Sequence, residues 1–198
     1  MKANTRIWAA AVLILLALGA GWPAAGALAQ DQDSLRLARR LVDLKPLDYS
    51  RIARIMEIDC LEGVAGTSVG NRLDLQETKQ YCRVAGEVFW SQVKDQVREA
   101  MAQAYARYLT QRELEVIIEG LLAERQGKAS SHPPGEIKAV VAQLRRVDPG
   151  IKAEVSWQVK EIVRRWKERF SLDSYFKDDF RRQVMEGLPW KIRSKIAY

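Results

Sequence analysis

A single histidine and two cysteines in 198 residues leave little material for transition-metal chemistry, and no Cys-x-x-Cys pair brings even the two thiols together. Glycines crowd the stretch from Gly63 to Asn71, but the Lys-Ser/Thr step that completes a phosphate-binding loop is missing, so it reads as a plain connector. Nowhere do apolar and polar residues alternate over a strand's length, and no hairpin dipeptide separates β-branched runs. Paired acids lack a catalytic setting. Asp178 with Asp179, and Glu113 with Glu115, fall on polar helical faces where close neighbours diverge around the axis. The expectation is a chain with no catalytic residue, no metal ligand set and no cofactor, and so not an enzyme.

What is present begins with an address. Lys2 and Arg6 precede an apolar run from Ile7 to Gly21, Trp22-Pro23 breaks it, and Ala27-Leu28-Ala29 offers small residues for cleavage before Gln30. That run is shorter than the roughly 20 residues a bilayer span needs. It reads as a cleaved signal peptide, residues 1–29, and places the mature chain in the periplasm or outside the cell. No other segment has the pattern of a transmembrane span. In such a compartment thiols oxidise, and Cys60 and Cys82 are expected to pair as a disulfide.

Loss of Lys2 and Arg6 lowers the formal charge from +7 to +5. The balance favours acidic partners, with nucleic acid set aside because of the exported location.

Helical periodicity runs through nearly the whole mature sequence. Leu37, Leu41 and Leu44 share a side before Pro46, with Asp33 or Ser34 as cap; Ser50 opens a second helix through Ile52, Ile55 and Met56. Asp74 with Glu77, and Thr110 with Glu113, both have the spacing of capping boxes, and Leu109 with Leu114 flanks the second as a staple. Gly127 is placed to end the helix that Thr110 begins. Beyond it lies a linker, Lys128 to Gly135, whose His132 has no nearby Asp or nucleophile in sequence to orient or use it and reads as an exposed bystander. Ile137, Val140, Val141 and Leu144 mark the next helix, expected to stop before Asp148-Pro149, where a cap and a first-turn proline start another. Ser171 is the expected cap of the last long helix, which Gly187 and Pro189 close. The fold class is therefore all-α, an irregular bundle of six or seven helices over residues 30–189, followed by a basic-aromatic tail, 190–198.

Around Phe89-Trp90, Tyr105, Tyr108-Leu109-Thr110, Glu113-Leu114 and Gly127-Lys128 the chain resembles a family of secreted bacterial helical proteins known as domain of unknown function 2059. Where that family carries an aromatic pair and a Ser-Pro before the glycine, this chain has Gly120, Leu121, Leu122 and Ala123-Glu124-Arg125. The resemblance implies an exported helical body without an established activity, and it carries over no functional residue.

Two readings of function follow. In the first, a non-catalytic exported protein binds an envelope protein or an anionic surface through Arg164, Arg165, Trp190, Lys191 and Arg193. In the second, a carrier holds a small apolar ligand or lipid between helices, with Phe89, Trp90, Tyr105, Trp166 and Phe170 as walls.

Overall fold

Residues 32–45 and 49–196 are described by the computed structural model, with side chains in the second stretch from Glu57 onward. The expected leader, Pro46 and Tyr198 lie outside the described residues, as do the side chains of Ser50, Ile52, Ile55 and Met56. Seven helices and no strand are found among them: α1 (Gln32–Leu44), α2 (Tyr49–Val64), α3 (Leu75–Tyr108), α4 (Gln111–Arg125), α5 (Pro134–Leu172), α6 (Ser174–Gly187) and α7 (Trp190–Ile196).

Local chemistry accounts for most of the helix ends. At the start of α3, Asp74 Oδ1 accepts from the amides of Gln76 and Glu77, each at 2.9 Å, and Glu77 Oε2 accepts from the Asp74 amide at 3.0 Å. At α4 the reciprocal box forms between Thr110 and Glu113. Gly127 adopts φ +64 after α4, and the amides of Gly127 and Lys128 return to the carbonyls of Glu124 and Ala123. That is the Schellman pattern, which leaves few carbonyls of the last turn without a donor.

Two boundaries differ from the sequence expectation. Pro149 lies inside α5, which continues unbroken from Pro134 to Leu172. An interior proline removes one helical hydrogen bond and costs about 3 kcal/mol. Burial on both sides offsets it: Leu144 and Val147 pack on a core before the proline, and Ile151 is buried just after it. The cap of α6 is Asp173, whose Oδ1 accepts from the Phe176 amide at 2.9 Å; Ser171 instead donates to the Lys167 carbonyl within the last turn of α5.

The chain that the sequence presents as one helical domain gathers into two compact units. The first contains residues 32–45 and 95–162. Its core joins Ala38, Leu41 and Val42 of α1 to Ala102, Leu109, Leu114 and Ile118, with Tyr105, Ile117, Leu121 and Leu144 packed around them. Ala38 and Ala102 are fully enclosed, and their short side chains leave helix backbones room to approach. Arg39 bonds both carboxylate oxygens of Glu99, at 2.9 and 2.8 Å, and Arg98 pairs with Asp43.

The second unit contains residues 49–94 and 163–196. Here Leu73, Val84, Val184, Leu188 and Ile192 form the core, with Tyr81, Val88 and Phe180 around it. The sulfurs of Cys60 and Cys82 stand at bonding distance with Cα atoms 5.4 Å apart, joining α2 to α3. The C-terminal residues belong to this unit: Ile192 is in the core, Ile196 packs against it, and Lys195 Nζ meets both oxygens of the buried Glu77 carboxylate at 2.6 and 2.7 Å.

Candidate functional site

Charge is unevenly distributed along the sequence beyond the expected leader. From Asp31 to Ile162 it carries twenty Lys and Arg against twenty Asp and Glu, whereas residues 163–198 carry ten against five. The whole excess therefore lies in the C-terminal segment, a signal present in the sequence but hidden by its overall composition. Of the expected contact residues, Arg164 and Arg165 are exposed on α5, with Arg164 paired to Glu168 one turn on. Burial of Ile192 orients α7, so Trp190 is left 73% exposed and Lys191 is exposed beside it. Lys195 anchors that helix and holds the Glu77 carboxyl below its usual range, helped by the Asp74 amide. Arg193 is placed differently from its neighbours. It is half-buried, and its Nε is enclosed with no acceptor among the described residues.

The aromatic set divides. Trp166 is the hub of the second unit: Phe170 stacks on it at 5.0 Å between centroids, Phe89 meets it edge-on at 5.0 Å, and Phe176 and Phe180 close in at 5.8 and 5.3 Å. Its indole N–H donates to Gln92 Oε1 at 2.8 Å. Phe89, Trp166 and Phe170 thus come together ring against ring, as offset and edge-to-face pairs favour. Trp90 is half-buried on the same stretch of α3. Tyr105 belongs to the other core, beside Leu109 and Leu114, where burial raises its phenol. Behind the disulfide, burial pushes the Asp59 carboxyl up and the Lys167 amine down, while the opposite charges of the two groups partly counter both shifts.

His132 is the residue the sequence misplaces. Far from being an exposed bystander, its side chain is only 10% exposed and faces a carboxylate at each nitrogen. Nδ1 is 3.2 Å from Glu136 Oε2, and Nε2 is 2.8 Å from Glu119 Oε2 but outside hydrogen-bond geometry. Arg112 and Glu119 lie seven positions apart on one face of α4, and Glu136 comes from the first turn of α5. The acids are themselves held: Glu119 accepts from the Ser131 amide at 2.9 Å and from its hydroxyl, and Arg112 Nε donates to Glu136 Oε1 at 2.7 Å. Ser131's two donors keep the Glu119 carboxyl below the usual range, and Arg112 does the same for Glu136.

Chemically this is a clasp. A Ser-His-acid relay needs the hydroxyl on the imidazole, but the Ser131 hydroxyl donates its hydrogen bond to Glu119. What the arrangement does is tie the α4–α5 linker to both helices that it joins.

The other acids considered in sequence are likewise engaged. Asp178 pairs with Arg181, Asp179 with Arg182, Glu113 closes the α4 cap, and Glu115 accepts from Gln111. Among the described residues, no three His, Cys, Asp or Glu side chains are grouped to hold a metal ion, and no helix is long and apolar enough to cross a membrane. No protein-family model matches the chain, and neither a curated protein nor a solved structure does.

Proposed function

We propose that the chain is an exported, non-catalytic helical protein that attaches to an acidic surface of the cell envelope through its C-terminal segment. The observation that carries this reading is the charge partition: a neutral body up to Ile162, then ten basic against five acidic residues. A basic residue near an anionic lipid surface contributes about 1 kcal/mol, so a local excess of this size is enough to matter. Export is supported by the leader-like first 29 residues and by the bonded pair Cys60–Cys82, which suits an oxidising compartment. A non-catalytic role is supported by His132 and Ser131, whose polar atoms serve the linker clasp.

Sedimentation with isolated envelope membranes tests the reading. The mature protein is expected in the pellet at low salt and in the supernatant as ionic strength rises and the Debye length shrinks to about 8 Å and below. Charge reversal at the exposed positions, Arg164→Glu, Arg165→Glu and Lys191→Glu, is expected to abolish the low-salt binding with the circular dichroism spectrum unchanged. Arg193 is left intact because it is half-buried. Equal sedimentation of the reversed and unaltered proteins would sink the proposal.

A further inference from the structure

Within the second unit, the end of α5 and the start of α6 form an antiparallel hairpin. Trp166 meets Phe180, Phe170 meets Phe180, and Trp166 meets Phe176, while only Asp173 separates the two helices. Inside the hairpin Trp166, Phe170, Phe176 and Phe180 each rest against another ring. At its tip the pattern reverses, with Leu172 87% exposed and Tyr175 88% exposed, on either side of the Asp173 cap.

We propose that this corner is a membrane-insertion tip: Leu172 and Tyr175 enter the interfacial layer of an anionic bilayer while the basic residues behind them meet its headgroups. The inference deepens the acidic-surface reading above and rests on it. Three features of the corner support it. First, its backbone is already ordered by the cap and by Trp166 packing, so insertion requires no folding step. Second, cations are held close behind the tip. The Arg169 guanidinium lies 4.2 Å above the Phe176 ring with its Nε 3.5 Å from Asp173, Lys177 sits 5.7 Å from the Phe170 ring, and Arg165 shares the α5 face of Leu172. Nearby acids offset part of this charge, Glu168 against Arg164, Asp173 against Arg169, Asp178 against Arg181 and Asp179 against Arg182, yet residues 164–182 still carry seven basic against four acidic residues.

Third, the shape of the corner selects the occupant. Two apolar groups standing out from a one-residue connection line no groove. A folded protein would need a preformed pocket for each, whereas a fluid bilayer closes around whatever enters it. Leu supplies hydrocarbon and Tyr supplies an amphipathic ring of the kind that settles at headgroup depth.

The test uses the mature full-length chain and vesicles of one part phosphatidylglycerol to three parts phosphatidylcholine, against phosphatidylcholine alone. Wild type is expected to sediment with the anionic vesicles and only weakly with the zwitterionic ones. Leu172→Ser with Tyr175→Ser leaves the charge unaltered and should weaken anionic-vesicle binding about tenfold, the scale of removing two partly buried apolar side chains. Leu172→Trp with Tyr175→Trp should restore it. Thermal melts should be superimposable, because neither side chain has a place in the core. An environment-sensitive fluorophore on Leu172→Cys should shift to the blue on anionic vesicles. If the double serine variant binds like wild type while the charge-reversed protein fails, the tip inference falls and the acidic-surface reading stands. Wild type that binds envelope membranes but not protein-free vesicles has a protein as its partner, and the tip inference falls again. Wild type that binds neither overturns both.

Discussion

Between Glu119 and Glu136 the His132 ring has an acid near each nitrogen, 2.8 Å from Nε2 and 3.2 Å from Nδ1. The clasp depends on those acids being ionised. Both carboxyls are lowered in the folded protein, Glu119 by the Ser131 donors and Glu136 by Arg112. A lowered carboxyl contributes stability that is fully present above its unfolded value, about 4.3 for Glu, and is lost as pH falls through the folded value. Amides of residues 128–132 are therefore expected to lose protection as pH drops below about 4, after correction for intrinsic exchange rates. In Glu119→Gln the Ser131 amide keeps an acceptor but the charge is gone, so the linker should exchange faster at neutral pH and show a smaller acid-dependent change. Hydrogen exchange followed by mass spectrometry measures both, and identical pH profiles for the two proteins would refute the clasp.

At the scale of the helix, the capping boxes are where sequence translates most directly into structure. Thr110 accepts from the Glu113 amide at 3.3 Å and Glu113 accepts from the Thr110 amide at 2.8 Å, while Leu109 and Leu114 behind the box are both buried. Thr110→Ala removes one acceptor and is expected to cost about 1 kcal/mol. That should appear as a lower urea midpoint with an unchanged slope, and an unshifted midpoint would show that the box contributes nothing. Such ends were legible because each depends on residues three or four apart. So was the bond between Cys60 and Cys82, since the chain offers no other thiol. Pro149 was not legible: its local preference is to begin a helix, and burial of Ile151 and Val147, set by packing against distant residues, overrides it. Part of the His132 surroundings escaped for the same reason, although Glu136 stands only four positions on. Glu119 lies 13 positions away and becomes a neighbour only when the linker folds back across α4. Asp173 displaced Ser171 as a cap because α5 runs on through Ser171 and Leu172.

For the molecule as a whole, two cores mean that stability is not shared evenly. The disulfide closes a separation of 22 residues entirely within the unit of residues 49–94 and 163–196, where α2 has a covalent tie to α3 besides its packing. Removing a cross-link of that span releases unfolded-chain entropy worth about 3 kcal/mol. The core of Leu41, Leu109 and Leu114 contains neither cysteine and gains nothing directly from the bond. A Cys60→Ala, Cys82→Ala protein, or the native chain kept reduced, should therefore lose amide protection first in residues 57–94 and 163–196. Protection in residues 32–44 and 111–125 should decline less. Since Trp166 and its surrounding phenylalanines belong to the weakened unit, near-ultraviolet circular dichroism should fall at a lower denaturant concentration than in the oxidised protein. Equal loss across both sets of residues would mean that the chain unfolds as one cooperative body, and the separation into two independently stabilised cores would have to be abandoned.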